Sequence, residues 1–140
     1  MKKSLLFIAA FLLILAGCSS DDVDVNNDNQ GVLGYWEYEG ITTDYGGGYH
    51  FKANGKIASW EIGLGHKYSE NDWGLWWTEN GKIQIKHGSS KIPDPDEMYY
   101  AIVSLTESQM VIRSFGGFAG TPYEKGVDHV FKKLPGKPSL

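Results

Sequence analysis

The sequence predicts an all-β protein: an eight-stranded antiparallel up-and-down barrel, preceded by a cleaved signal helix and a disordered tether. Three observations carry that prediction. Apolar and polar residues alternate with a period of two through most of the chain beyond residue 32. Two reversals share the letters Asn-Gly-Lys-Ile, at Asn54 and Asn80, and Asn-Gly supplies the positive φ angles of a tight hairpin. Aromatics at 14% and 18 glycines in 140 residues suit twisted strands joined by many turns, while helix formers are sparse beyond the N-terminus. A chain of this length buries one core, and closing the sheet on itself removes its exposed edges.

The N-terminus has a different character. Lys2 and Lys3 form a positive n-region, Leu5 to Leu15 an apolar run, and Leu15-Ala16-Gly17-Cys18 places small residues before the single cysteine. The apolar run is too short to span a bilayer as a helix. The segment resembles a bacterial lipoprotein signal. That resemblance implies a signal peptide over residues 1–17, cleavage before Cys18, and a diacylglycerol on the Cys18 thiol, with further acylation such as palmitate. An ordinary cleaved signal with an incidental cysteine is the plainer alternative. Each acyl CH₂ buried in a membrane contributes roughly 0.8 kcal/mol, so two or three chains anchor the protein permanently. One cysteine leaves no internal disulfide, so packing alone holds the fold.

Residues 18–31 read as an acidic tether without periodicity, Ser19 to Gln30 being almost wholly polar. Ser19 after Cys18 resembles the outer-membrane sorting pattern of lipoproteins, and Ser20-Asp21-Asp22 resembles the export signal of surface-exposed lipoproteins in Bacteroidetes-type bacteria. A solvated spacer accounts for the same letters, so the leaflet stays open.

The barrel itself is expected over residues 32–134, with a tail at 135–140. Leu33 to Gly40 forms the first strand, Trp36 and Tyr38 opposing Tyr35. The glycines of Thr42 to Gly48 predict a mobile rim loop. Tyr49 to Lys52 and Lys56 to Ile62 flank Asn54-Gly55. Tyr49 and Phe51 share one face there, and Ala58, Trp60 and Ile62 share one beyond the turn. Gly63 to Asp72 is expected as a loop carrying His66, Lys67 and Tyr68. Trp73 to Thr78 and Lys82 to Lys86 flank Asn80-Gly81, with Ile83 and Ile85 inward. A one-residue slip at either hairpin reverses every face.

His87 to Glu97 contains Pro93-Asp94-Pro95-Asp96 and cannot lie inside a sheet. Met98 to Leu105 and Met110 to Phe115 make a third hairpin, with Tyr99, Ala101, Val103 and Leu105 on one face. Gly116 to Tyr123 is a glycine-rich excursion. Val127 to Leu134 is the last strand, with Val127, His129 and Phe131 together.

Taken in order, the signal, the acidic tether, Gly34-Tyr35-Trp36, the Asn-Gly hairpin after an aromatic strand and the ending Val130-Phe131-Lys132-Lys133-Leu134 resemble the lipocalin-like lipoproteins of Bacteroidetes. The resemblance implies a structural role for Trp36, packed across the closed end of the barrel with a basic residue from the last strands stacked on it. Arg113, the single arginine, is the candidate for that residue. A helix after the last strand and a Thr-Asp-Tyr motif between middle strands are missing; Thr43-Asp44-Tyr45 falls too early.

Little in the chain suggests catalysis. His50, His66, His87 and His129 lack ligand spacing, so no metal site is assigned, and His129 reads as a half-buried core residue with one hydrogen-bond partner. Asp94, Asp96 and Glu97 read as a solvated loop rather than a calcium site. No nucleophile–base pattern appears, and no catalytic residue or cofactor is assigned. The formal charge is −4, and 11 basic against 17 acidic residues remain once Lys2 and Lys3 are removed. That balance excludes a nucleic-acid partner.

Aromatic residues are the stronger candidates. Trp60, Trp73, Trp76, Trp77, Tyr99 and Tyr100 cluster in the middle strands, and adjacent Trp76 and Trp77 point to opposite faces. Trp60, Trp77, Tyr99, Phe51 and Tyr49 are the expected ligand-binding set. The leading function is a membrane-anchored, non-catalytic binding protein holding a small apolar ligand in the barrel, with the glycine-rich loops at Gly46 to Gly48 and Gly116 to Gly120 over its mouth. The alternative is a surface module docking a glycan or partner protein through exposed aromatics.

Overall fold

A computed structural model describes residues 31–40, 46–89, 99–116 and 124–139. Cys18, the tether up to Gln30, Pro93 to Asp96 and the Gly117 to Tyr123 excursion lie outside the described residues. Eight strands follow in order: β1 (Gly34–Tyr38), β2 (Gly47–Phe51), β3 (Lys56–Ile62), β4 (Tyr68–Glu79), β5 (Lys82–His87), β6 (Tyr99–Leu105), β7 (Gln109–Phe115) and β8 (Val127–Lys133). Each pairs antiparallel with the next, and β1 pairs with β8 through Trp36↔Lys133, Glu37↔Lys132 and Tyr38↔Phe131. The result is a closed up-and-down barrel. No described helix is long and apolar enough to cross a membrane.

The two Asn-Gly reversals use different geometry. Asn80 and Gly81 both have positive φ, at 52° and 73°, and Glu79↔Lys82 closes a two-residue hairpin. At the first reversal only Gly55 is left-handed, at 79°. There Ala53, Asn54 and Gly55 form a three-residue loop closed by the Lys52 amide on the Lys56 carbonyl at 2.9 Å.

These reversals and the chain's entry at Val32 lie at one end of the barrel. Val32, Trp36, Phe51, Ile57, Trp76, Ile85, Met110, Ile112 and Phe131 form the buried core. The Trp36 indole donates to the Val32 carbonyl at 2.7 Å and the Trp76 indole to the Lys52 carbonyl at 2.9 Å. Large rings are thus buried without losing their one polar bond. The strand ends Tyr38, Gly47, Ile62, Tyr68, His87, Tyr99, Phe115 and Val127 lie at the opposite, open end.

Several local expectations are corrected. Gly47 and Gly48 belong to β2 rather than to a rim loop. Glycine is required at Gly48 because a Cβ there would lie 1.8 Å from the Trp36 carbonyl oxygen. Tyr68 to Asp72 extend β4 instead of forming a loop.

Two irregularities reset the faces. Between β3 and β4, Ile57↔Gly74 is followed by Ala58↔Asp72, so Trp73 is an extra residue. Between β6 and β7, Ile102↔Ile112 is followed by Ser104↔Val111, so Val103 is extra. An extra residue shifts side-chain parity by one. Leu105 therefore shares the inner face with Tyr100 and Ile102, and Tyr99 turns outward.

Candidate functional site

At the open end the barrel holds a cavity of about 720 Å³, within the range of small-molecule sites. Its inner wall is Tyr38 from β1, Tyr49 from β2, Tyr100 from β6, Ile112 from β7, and His129 and Phe131 from β8. Register explains the convergence. Tyr38 lies opposite Phe131, and Ile112 opposite His129, each pair sharing one face. Tyr49 stacks on Phe131 at 5.0 Å between centroids and Tyr38 meets the same ring at 5.6 Å. Gly46, Gly47 and Gly48 border the mouth without side chains, and Leu64 stands at its edge, 82% exposed.

Polar groups in this wall are few and mostly held. The Ser114 hydroxyl pairs with His129 Nε2 at 2.8 Å, matching the one partner expected for that histidine. Glu61 at the mouth accepts from the Ser69 hydroxyl at 3.2 Å. Burial, and then the neighbouring Tyr100, push the Tyr49 phenol up to about 12, so it stays a neutral donor at any physiological pH. Trp73 sits immediately behind, its ring 5.2 Å from Tyr49, 5.3 Å from Tyr100 and 5.9 Å from His87. Its indole N–H is buried and has no hydrogen-bond partner. A buried donor left unpaired costs about 1–3 kcal/mol.

Of the predicted ligand-binding residues, Tyr49 and Trp60 line the cavity, Trp60 at its mouth, and Phe51, Trp77 and Tyr99 are placed elsewhere. Phe51 is buried in the core toward the closed end. Trp77 is corrected to the outer face: Trp76 is the inward, fully buried member of the pair, and Trp77 lies opposite Gln84. Tyr99 is outward, 41% exposed, and stacks on Phe115 at 5.9 Å. Trp60 lies opposite Gly48 and Glu70, on the face that Tyr49 and Ser59 do not share. It borders the mouth from outside and is nonetheless buried. Its ring lies against Gly46 and Tyr68, and its indole donates to the Trp36 carbonyl at 3.2 Å. The alternation Ala58-Trp60-Ile62 marks this covered outer surface, not the barrel interior.

Trp36 is fully buried at the closed end, but Arg113 does not stack on it. Arg113 is paired bidentately with Asp128 on the outer face, at 2.6 and 2.9 Å. The stacked cation is Lys133, whose ammonium lies 4.4 Å from the Trp36 ring centroid. Register places it there, since Trp36↔Lys133 are opposite residues.

A second polar group lies on the outer face around Glu70. Its carboxylate accepts from Lys52 at 2.8 Å, His50 at 3.1 Å and Tyr68, with Tyr35 at 3.4 Å; Lys52 also bridges to Asp72 at 2.6 Å. Burial raises the Glu70 pKa, but hydrogen bonds from Lys52, Tyr68 and His50 outweigh it and hold the group at about 2. Every carboxylate oxygen here is occupied, so the cluster ties β1, β2 and β4 together across the barrel wall. Among the described residues, no three His, Cys, Asp or Glu side chains converge to hold a metal.

Sequence reasoning missed Tyr38, Tyr100, Ile112 and Phe131 as cavity residues. Tyr38 and Phe131 were within reach of it, because both follow from strand alternation counted from Trp36 and His129. Tyr100 was not, because the extra residue at Val103 has no signature in the letters. No family model matches the chain, and neither a curated protein nor a solved structure is found similar to it.

Proposed function

We propose that this chain is a membrane-anchored, non-catalytic binding protein of the cell envelope, a lipocalin-like barrel that takes a small apolar ligand into its open-end cavity. The observation that carries the reading is the cavity itself: about 720 Å³, walled by Tyr38, Tyr49, Tyr100, Ile112, His129 and Phe131, with glycines at its mouth. Aromatic and aliphatic walls with a few fixed polar groups favour an apolar body over a charged one. Lys133 on Trp36 supports the lipocalin-like reading. The anchor rests on Leu15-Ala16-Gly17-Cys18, and the reading of an outer-membrane or cell-surface location on Ser19 and Ser20-Asp21-Asp22.

A neutral fluorescent probe, N-phenyl-1-naphthylamine, tests the reading. It should bind with enhanced emission and be displaced by extracted envelope lipids, and Ser59→Trp, which plugs the inner wall, should abolish the signal. Probe binding that survives the plug, or no binding in either protein, overturns it. The second reading, docking of a glycan or partner protein, is favoured by the outward Tyr99–Phe115 stack. It predicts that immobilised glycans or envelope proteins retain the protein and that Tyr99→Ala releases it while probe binding is unchanged.

A further inference from the structure

Glu61 bears on which end group an apolar ligand carries into this barrel. Among the described carboxylates, Glu37, Glu70, Asp72 and Asp128 each pair with a lysine or with the arginine. Glu61 has no such cation among the described residues, and its described hydrogen bond, from the Ser69 hydroxyl, uses Oε1. Register sets this carboxylate at the cavity mouth. Glu61 lies opposite Gly47, on the inner face it shares with Ser59, which lies opposite Tyr49. The β1–β2 ladder runs through Trp36↔Tyr49 and Glu37↔Gly48, so one more rung brings Tyr38 beside Gly47. Tyr38, Gly47 and Glu61 all line the cavity. Their strands β1 and β3 stand two strand spacings apart, about 10 Å, and glycine places no side chain between them. A tyrosine and an unpaired carboxylate therefore flank one recess at the rim.

Charge decides what suits that recess. Among the described residues lining the cavity none is lysine or arginine, and His129 is held through Nε2 by the Ser114 hydroxyl. A carboxylate head meets Glu61 and no fixed cation, so it is repelled. A hydroxyl head gains no Coulomb attraction. An ammonium gains the carboxylate on one side and the negative face of an aromatic ring on the other, and at the rim it keeps part of its water. The apolar body then lies against Tyr49, Tyr100, Ile112 and Phe131.

We infer that the cavity selects a cationic amphiphile, an apolar body ending in an organic ammonium, and seats the ammonium on the Glu61 carboxylate in the recess between Tyr38 and Glu61. Anionic amphiphiles of the same shape are discriminated against. The inference rests on the cavity being the binding site.

Three probes of one skeleton test it in the full chain at neutral pH: 4-phenylbutylamine, 4-phenylbutan-1-ol and 4-phenylbutanoate. The ammonium should bind roughly tenfold more tightly than the alcohol, and the carboxylate most weakly. Glu61→Gln should bring the ammonium within about twofold of the alcohol while leaving the alcohol's affinity unchanged. Glu61 is exposed, so its neutral replacement keeps the fold. Glu107→Gln removes an equal charge from the β6–β7 turn at the opposite end of the barrel and should leave the gap in place, which controls for the chain's net negative charge. Equal affinity for ammonium and alcohol, tightest binding of the carboxylate, a gap that survives Glu61→Gln, or one that Glu107→Gln closes as far, each overturn the inference while leaving the cavity as a binding site. Failure of all three probes to bind, or binding that persists in the Ser59→Trp variant, overturns both.

Discussion

Lys133 lies over the Trp36 ring, its ammonium 4.4 Å from the centroid, and donates to the Gly31 carbonyl at 2.9 Å and to the Leu33 carbonyl. One cation thus ties the chain's entry into the barrel to its last strand across the seam that closes the sheet. Burial lowers the Lys133 pKa, and the ring face and the two carbonyls hold the charged group in place. Lys133→Met should lower stability by about 1–3 kcal/mol in urea unfolding, and Lys133→Arg should recover much of it. Arg113→Ala, which breaks only an exposed pair, should unfold at the same urea concentration as the unsubstituted protein.

Gly48 faces the Trp36 carbonyl so closely that no side chain fits: a Cβ would lie 1.8 Å from that oxygen. Gly48→Ala must push β1 from β2 and disturb the Trp60 indole, which donates to the same carbonyl. A loss of more than about 3 kcal/mol is expected. Gly136→Ala, with nothing within 4 Å of its Cβ, serves as the neutral comparison. Thermal unfolding of the two variants side by side checks this.

Trp76 and Trp77 separate core from surface. Trp76→Ala removes a fully buried ring that also bonds the Lys52 carbonyl and should cost about 3–5 kcal/mol. Trp77→Ala, on the outer face, should cost well under half of that and leave probe binding intact. Equal losses in chemical denaturation contradict the assigned faces.

Glu70 contributes a pH dependence of definite sign. Its pKa in the folded protein is about 2 against 4.5 for the free group, so its stabilisation is fully present above about 4.5 and is lost as pH falls toward 2. The Asp72 pKa, held down chiefly by the hydrogen bond from Lys52, shifts in the same direction. Glu70→Gln should flatten the fall in stability between these limits, removing about 1–2 kcal/mol of pH-dependent stability after allowance for solvent screening. Urea midpoints collected from pH 2 to 6 report it.

Much of the fold was legible because its causes are local. Alternation set most strands, and Asn54-Gly55 and Asn80-Gly81 set two of the three hairpins of the closed end. The site was less legible because its causes are non-local. The extra residues at Trp73 and Val103 shift parity without any compositional mark, which exchanged Tyr99 for Tyr100. Gly46 to Gly48 read as a loop, yet they make room for a ring and a carbonyl supplied by other strands. Lys133 sits on Trp36 through the closure of β1 on β8, a pairing between residues nearly a hundred positions apart.

A native mass spectrum of the protein extracted from its own membranes tests the central claim most directly. The account predicts a discrete non-covalent mass beyond that of the acylated chain, lost on collisional activation and absent from the Ser59→Trp variant. The acylated chain alone in every charge state, or an adduct retained equally by the plugged variant, would contradict it.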